Sequence, residues 1–404
     1  MATIAVIGTL DTKGEEHGFV ADIIRQRGHR AHLIDVGVLE PPTIRPDTTR
    51  EEVAAAGGVD LSALSARYDR GEAVAAMAKA SAVIVSRLAE AKKIDGIISL
   101  GGSGGTAIAT AAMRALPIGF PKVMVSTFAA GNVAPYVGVK DIAMFPSIVD
   151  VAGLNRISRQ ILARATGAIC GMVEVQVPSG ESKPIVVASM FGNTTDCVQA
   201  AKAILEKAGY EVLVFHATGA GGRTMESLIE AGLVAGVLDI TTTEWADELV
   251  GGVLGAGATR LEAAARHGVP AIVTPSCLDM VNFGPPESVP AKFAERTFYQ
   301  HNPQVTLMRT TPDECAQLGQ ILASKLNLSV GPVTVLIPRR AISVISAPGQ
   351  KFNNIAADTA LFTNLKSNLR PDIPVVEMDC LINDAVFADA CAQNLLANMK
   401  RKPL

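Results

Sequence analysis

Three short stretches hold residue types that can do chemistry. Gly8-Thr9-Leu10-Asp11-Thr12-Lys13-Gly14-Glu15 offers two hydroxyls, two carboxylates and an ammonium, while Gly101-Gly102-Ser103-Gly104-Gly105-Thr106 offers mostly bare backbone. A third, Ser126-Thr127-Phe128-Ala129-Ala130-Gly131-Asn132, adds hydroxyls and an amide. A phosphate is held by backbone N–H groups, hydroxyls and a cation, whereas Mg²⁺ takes a carboxylate or hydroxyl and otherwise keeps its water. The stretches supply the whole set. Lys13 is the cation and Asp11 the candidate metal ligand. Thr9, Thr12, Ser103, Thr106, Thr127 and Asn132 are polar side chains, and Gly101, Gly102, Gly104 and Gly105 leave main chain accessible.

The second half of the chain carries a different set. Asn193, Thr194 and Thr195 follow one apolar run, His216 and Arg223 bracket the glycine-rich turn 217–222, Glu244 follows three threonines, and Cys277 follows Pro275-Ser276. Asn193, Thr194, Thr195 and Arg223 suit a small anion, with His216 or Glu244 as acid or base and Cys277 as a nucleophile. The same residues suit structural work: a strand-end histidine, a capping-box glutamate reaching back to Thr241, and a small buried thiol.

The elements that must position these groups are legible as strand–loop–helix units. Thr3–Ile7 reads as a buried strand, 16–27 as a helix stopped by Gly28, and 31–35 as a second strand. The order returns at a constant offset, with Val6 matching Val187, Ile23 matching Ile204 and Gly28 matching Gly209. Apolar runs at 95–100 and 121–125 in the first half, and 235–240 and 270–274 in the second, continue the register. Strands alternating with helices call for parallel pairing and right-handed crossovers. The fold class expected is α/β: two doubly wound, mainly parallel-sheet Rossmann-like domains related by an internal repeat, over 1–180 and 181–404. Further strands are expected at 333–337 and 375–379, helices at 357–369 and 384–399, and a helix 158–165 followed by a strand 169–175 before the boundary. The polar stretch 47–70 reads as an excursion able to cover a site as a lid.

In such sheets ligands bind beyond the carboxyl ends of the strands, where both first-half loops would lie. A Walker A loop is excluded because no G-x-x-x-x-G-K-[ST] occurs. Gly102–Ala107 satisfies G-x-G-x-x-A, but the next strand ends in Val125-Ser126-Thr127, with no acid for a ribose. A tight helix–strand approach without ligand would also use these glycines.

The formal charge of −3 is spread without like-charged blocks, which excludes a nucleic-acid footprint. Six scattered cysteines without a C-x-x-C pair argue against a zinc site or disulfide framework, and no apolar run reaches bilayer length. A cytoplasmic protein with no membrane partner is expected.

The motifs at 8–15, 100–106 and 126–128 resemble the ATP-binding domain of the tomato mosaic virus resistance protein and its bacterial relatives, long classed as an uncharacterised protein family. The resemblance runs over nearly the whole chain. It implies ATP with Mg²⁺ in the first domain and a homodimer; in plants the region is joined to a further barrel domain, which is not expected here. The resulting expectation is an Mg-ATP-binding protein acting on a small anionic metabolite at the second domain or the crevice between domains, as an ATP-dependent transferase or ligase if it turns over. The alternatives are an ATP-controlled interaction module without turnover and an ATP-independent lyase or hydrolase.

Overall fold

The computed structural model describes residues 1–178 and 182–401. The chain forms two compact units, Met1–Ser179 and Gly180–Leu404. The boundary expected at 180 lies outside the described residues.

In the first unit the elements run β1 (Thr3–Gly8), α1 (Gly14–Gln26), β2 (Arg30–Asp35), α2 (Arg50–Ala56), α3 (Leu61–Arg67), α4 (Arg70–Glu90), β3 (Gly96–Gly101), α5 (Ser103–Arg114), β4 (Lys122–Ser126), α6 (Ala134–Val137), β5 (Ala143–Pro146) and α7 (Arg156–Glu174). Every strand pairing is parallel, in the order β2-β1-β3-β4-β5. Alternate residues of one strand feed two cores. Ala5 and Ile7 join Met77, Val85, Ile108 and Met113 on one face, while Ile4 and Val6 join Val20, Ile24, Leu162 and Ile169 on the other. Burial on both faces is why the strands read as continuous apolar runs.

The strand expected at 169–175 is not formed. Asn155 caps α7 by accepting the N–H groups of Ile157 and Ser158, each at 2.9 Å, and the helix continues to Glu174. Its buried residues Leu162, Ala165, Thr166, Ile169 and Cys170 follow helical spacing, so the apolar tail is the last turns of one stripe.

The second unit contains β6 (Ile185–Met190), α8 (Thr195–Lys207), β7 (Glu211–His216), α9 (Ala220–Glu230), β8 (Val234–Thr241), α10 (Glu244–Val250), α11 (Glu262–His267), β9 (Ala271–Ser276), β10 (Met280–Phe283), β11 (Phe298–Asn302), β12 (Val305–Arg309), α12 (Pro312–Leu326), β13 (Val333–Pro338), α13 (Ile355–Asn368), β14 (Val375–Met378) and α14 (Ala385–Lys400). Its parallel sheet is ordered β7-β6-β8-β9-β13-β14, the first unit's order with one strand added. Between β9 and α12 lies an antiparallel sheet, β10-β12-β11, that the repeat did not announce. Among the described residues no helix is long and apolar enough to cross a membrane.

Candidate functional site

The strand order 2-1-3-4-5 reverses direction between β1 and β3, and this switch point is where open α/β sheets bind ligands. In the first unit the loops leaving these two strands are the Thr9–Lys13 and glycine stretches. Both line a cavity of about 560 Å³.

The β1 loop is pinned from beneath. Asp35, at the tip of β2, is buried, and its Oδ1 accepts the N–H groups of Leu10 at 3.1 Å and Gly37 at 2.9 Å. Oδ2 has no partner, and burial raises the carboxyl's pKa. Dinucleotide folds hold a ribose with an acid at this position; here the group is sealed and serves the loop. Behind it His17 is fully buried, with Nδ1 2.7 Å from the Lys13 carbonyl and Nε2 3.2 Å from that of Ile7. Burial lowers its pKa, against the two carbonyl contacts, which raise it. A Cβ on Gly8 would stand 1.8 Å from Nε2, so the ring needs glycine there.

Lys13 N–H turns inward to the Thr9 carbonyl at 2.8 Å, and Thr12 N–H to Asp11 Oδ1 at 2.8 Å. This loop therefore faces the cavity with side chains. Thr9 and Thr12 hydroxyls sit 3.1 Å apart, and Asp11 Oδ2 accepts the Leu39 N–H at 3.1 Å. Backbone donors come instead from α5. The glycine stretch is barely a loop: β3 ends at Gly101, Gly102 caps, and Ser103 to Thr106 already form the first turn. The helix's first backbone bond runs from Thr106 N–H to the Gly102 carbonyl, 2.9 Å, leaving the earlier N–H groups outside the ladder at the positive end of the dipole. Gly101 is needed for close approach, since its Cβ would lie 3.1 Å from Gly105 Cα.

Thr9, Asp11, Thr12, Lys13, Gly101, Gly102, Gly104 and Gly105 line the cavity. Others do not. Thr106 is buried, its Oγ1 2.7 Å from Ser126 Oγ, facing the sheet. Ser103 is exposed, Asn132 Oδ1 accepts the Ala134 N–H at 3.1 Å, and Thr127 Oγ1 lies 3.9 Å from a Cβ on Gly102.

The pattern reading left several walls unnamed. Val36, Val38, Leu64, Val74 and Ile108 form an apolar side, and Ser65, Tyr68, Asp69 and Arg70 come from the stretch expected to act as a cover. Ser65 Oγ donates to the Val38 carbonyl and ties that stretch down. The lining holds three carboxylates, Asp11, Asp69 and Asp150, against Lys13 and Arg70. A polyanion entering alone would meet net negative charge, so a divalent cation carried on it would offset the mismatch. Among the described residues no group of three His, Cys, Asp or Glu could hold a metal by itself, and Mg²⁺ fits only with Asp11 as a single ligand beside phosphate oxygens and water.

In the second unit the equivalent switch point is stitched shut. Ser189 Oγ donates to Asp239 Oδ1 at 2.7 Å and accepts the Thr241 N–H at 2.8 Å, and Thr194 Oγ1 meets Thr241 Oγ1 at 2.8 Å. Glu244 and Cys277 both lie inside the second unit. Glu244 is buried, and its Oε1 accepts the N–H groups of Gly219 at 2.7 Å and Gly222 at 3.1 Å, filling the glycine turn with the protein's own anion. Its Oε2 accepts Nε–H of buried Arg260 at 2.7 Å, and that guanidinium also pairs with Asp239 and Glu226. Burial pulls the Arg260 pKa down, but the carboxylates outweigh it and hold it well above the ordinary value. Cys277 is fully buried, and burial pushes its pKa well up, which disfavours the thiolate.

Arg223 is exposed, and its Nη1 donates to the Gly255 carbonyl at 3.0 Å. Asn193 is buried, with its carbonyl accepting Asn383 Nδ2–H at 3.0 Å, and Thr195 Oγ1 donates to the Phe191 carbonyl at 3.3 Å. His216 is exposed and packs on Phe191, ring centroids 5.3 Å apart.

The molecule is thus a pair of parallel α/β units, the first with an open switch-point cavity and the second with a filled one. A family model described as "Uncharacterised protein family (UPF0261) N-terminal domain" matches residues 2–178, and one described as "Uncharacterised protein family (UPF0261) C-terminal domain" matches 183–399. The chain belongs to this family. A UPF0261 protein of Clostridium tetani is 52% identical over 401 residues, covering 98% of this chain and 99% of that one. The tomato (Solanum lycopersicum) ToMV resistance protein Tm-1(GCR237) is 38% identical over 415 residues, covering 96% of this chain and 55% of the tomato protein. Among solved structures, a UDP-N-acetylglucosamine 2-epimerase from Rickettsia bellii shares 12% identity over 67% of this chain and 78% of that one, with a TM-score of 0.23. Likeness at that level carries no functional argument.

Proposed function

We propose that the first unit binds Mg-ATP in the cavity at the β1/β3 switch point. One observation carries the reading: a single cavity of about 560 Å³ joins an apolar side to a polar side with Lys13, two threonine hydroxyls and the unladdered N–H groups of α5. Its size falls within the roughly 300–1,000 Å³ of small-molecule sites. The apolar side suits a base and the polar side its phosphates, and the resemblance noted above adds ATP to that chemistry. Lys13 would hold a phosphate, Asp11 would meet the metal, and Mg²⁺ would neutralise phosphate charge when bound.

In the second unit, the burial of Glu244 and Cys277 favours a nucleotide-controlled binding role over chemistry at those residues. ATP that persists unhydrolysed on the purified protein would fit this reading; steady ADP release would overturn it.

The deciding measurement is thermal unfolding of the full chain with ATP, ADP and AMP, with and without Mg²⁺. A ligand at 100 times its Kd adds about 2.7 kcal/mol. Wild type should be stabilised most by Mg-ATP. Gly104→Val should lose the response, because its Cβ would stand 3.2 Å from Val74 Cγ2, with the branched methyls facing the cavity. No response to any nucleotide in wild type would end the proposal.

A further inference from the structure

Arg70 opens α4 and lines the cavity, with Nη2 3.8 Å from the place where a Cβ on Gly104 would stand. Its guanidinium has no hydrogen bond or ion pair among the described residues. The acidic groups beside it in sequence are engaged elsewhere: Asp69 Oδ1 caps α4 by accepting the Glu72 N–H at 2.9 Å, and Glu72 takes both arms of Arg67 at 2.7 and 2.8 Å.

A cation in the first turn of a helix opposes that helix's dipole. Here the same cation also faces the amino terminus of α5, a second positive pole. Both interactions are unfavourable until negative charge enters between them. Lys13 and the α5 amides already suffice for one phosphate, so a further cation on these amides is useful only for a ligand with more charge.

We propose that Arg70 is a specificity-determining residue that makes the cavity select nucleoside di- and triphosphates over monophosphates. The inference rests on the nucleotide reading above. A guanidinium grips two phosphate oxygens at once, a geometry lysine cannot reproduce. Because Arg70 stands on the covering stretch, its contact with the ligand would also hold residues 61–70 against the cavity.

The test is calorimetric titration of the full chain with ATP, ADP, AMP and inorganic tripolyphosphate, each with Mg²⁺, using wild type, Arg70→Ala and Arg70→Lys. Arg70→Ala should weaken ATP and tripolyphosphate by about ten- to a hundredfold, the worth of a charge-assisted hydrogen bond, and leave AMP nearly unchanged. Arg70→Lys should recover only part of the loss. Because Arg70 is exposed and opposes two helix dipoles, unliganded Arg70→Ala should melt no lower than wild type, which serves as the fold control. Equal weakening of ATP and AMP, or no change for ATP, would overturn the role of Arg70 while leaving the nucleotide reading intact. Binding of tripolyphosphate that depends on Arg70, with no preference for any nucleotide, would keep the phosphate clamp and remove the nucleotide. A wild type that binds none of the four probes would overturn both.

Discussion

Asp35 and Glu244 are both buried carboxylates that accept two backbone N–H groups on one oxygen, and both hold a loop in shape. Removing Asp35 by Asp35→Ala orphans the Leu10 and Gly37 donors, and a loss of about 1–3 kcal/mol is expected in urea unfolding. Glu244→Ala should cost more, about 3–5 kcal/mol, because it also strips a partner from a buried guanidinium. A change below about 1 kcal/mol at Glu244, the worth of an exposed pair, would contradict its structural role.

Asp247 supplies the pH dependence. Burial raises its pKa to about 7, against hydrogen bonds from Asn282 that pull it down, and Asp279 is raised by burial to about 6. An acid whose folded pKa is raised contributes stability that is complete below its unfolded value and is lost as pH climbs through the folded one. Between about pH 4 and 7 the native chain holds more protons, so stability should fall with a slope of up to about 1.4 kcal/mol per pH unit for each group. In Asp247→Asn that group's share of the slope should vanish, since an amide does not titrate, and Asn282, whose Oδ1 is unpartnered among the described residues, can turn its amide to meet the new one. Parallel stability curves for variant and wild type from about pH 4.5 to 8 would refute the assignment. None of these carboxylate roles was legible in the sequence: partners such as Asp35 and Leu10, or Glu244 and Gly219, are set by the fold, and an acid after threonines reads equally as cap, base or ligand.

Regular elements were far more legible, because period and punctuation are local. Strand ends at 8, 35 and 101 and the glycine stops after α1 and α8 follow from apolar runs and positive-φ glycines such as Gly28 and Gly209. The tail of α7 misled because Ile169 to Val175 is apolar enough to pass for a strand when its phase with Leu162 is ignored. That phase has a test at its cap. Asn155→Ala should cost about 1 kcal/mol and lower protection from hydrogen exchange in the first turn of α7. The insertion β10-β12-β11 escaped notice for another reason: its strands are four or five residues long, and its hairpin turns on Pro303-Gln304, with Gln304 N–H bound to Asn302 Oδ1 at 2.8 Å.

For the molecule as a whole, one strand order is used twice to different ends. Its duplication was visible in the offset between halves, as was the polar composition of the first site. Which cations and apolar walls complete that site was not, because Val36, Leu64 and Arg70 come from segments distant in sequence from the glycine stretch. Hydrogen exchange with Mg-ATP should therefore slow at 61–70 and 103–105, while Gly219 and Gly222 stay as they were. Slowing confined to the second unit would reverse this division of roles.

Glu244 is a tethered competitor for its own glycine turn. A side chain fixed beside its donors acts at an effective concentration that a free metabolite at cellular levels does not approach. Added phosphate or carboxylate should leave that turn unmoved, and a census of glycine-rich turns by sequence would count as vacant a turn whose donors Glu244 already holds.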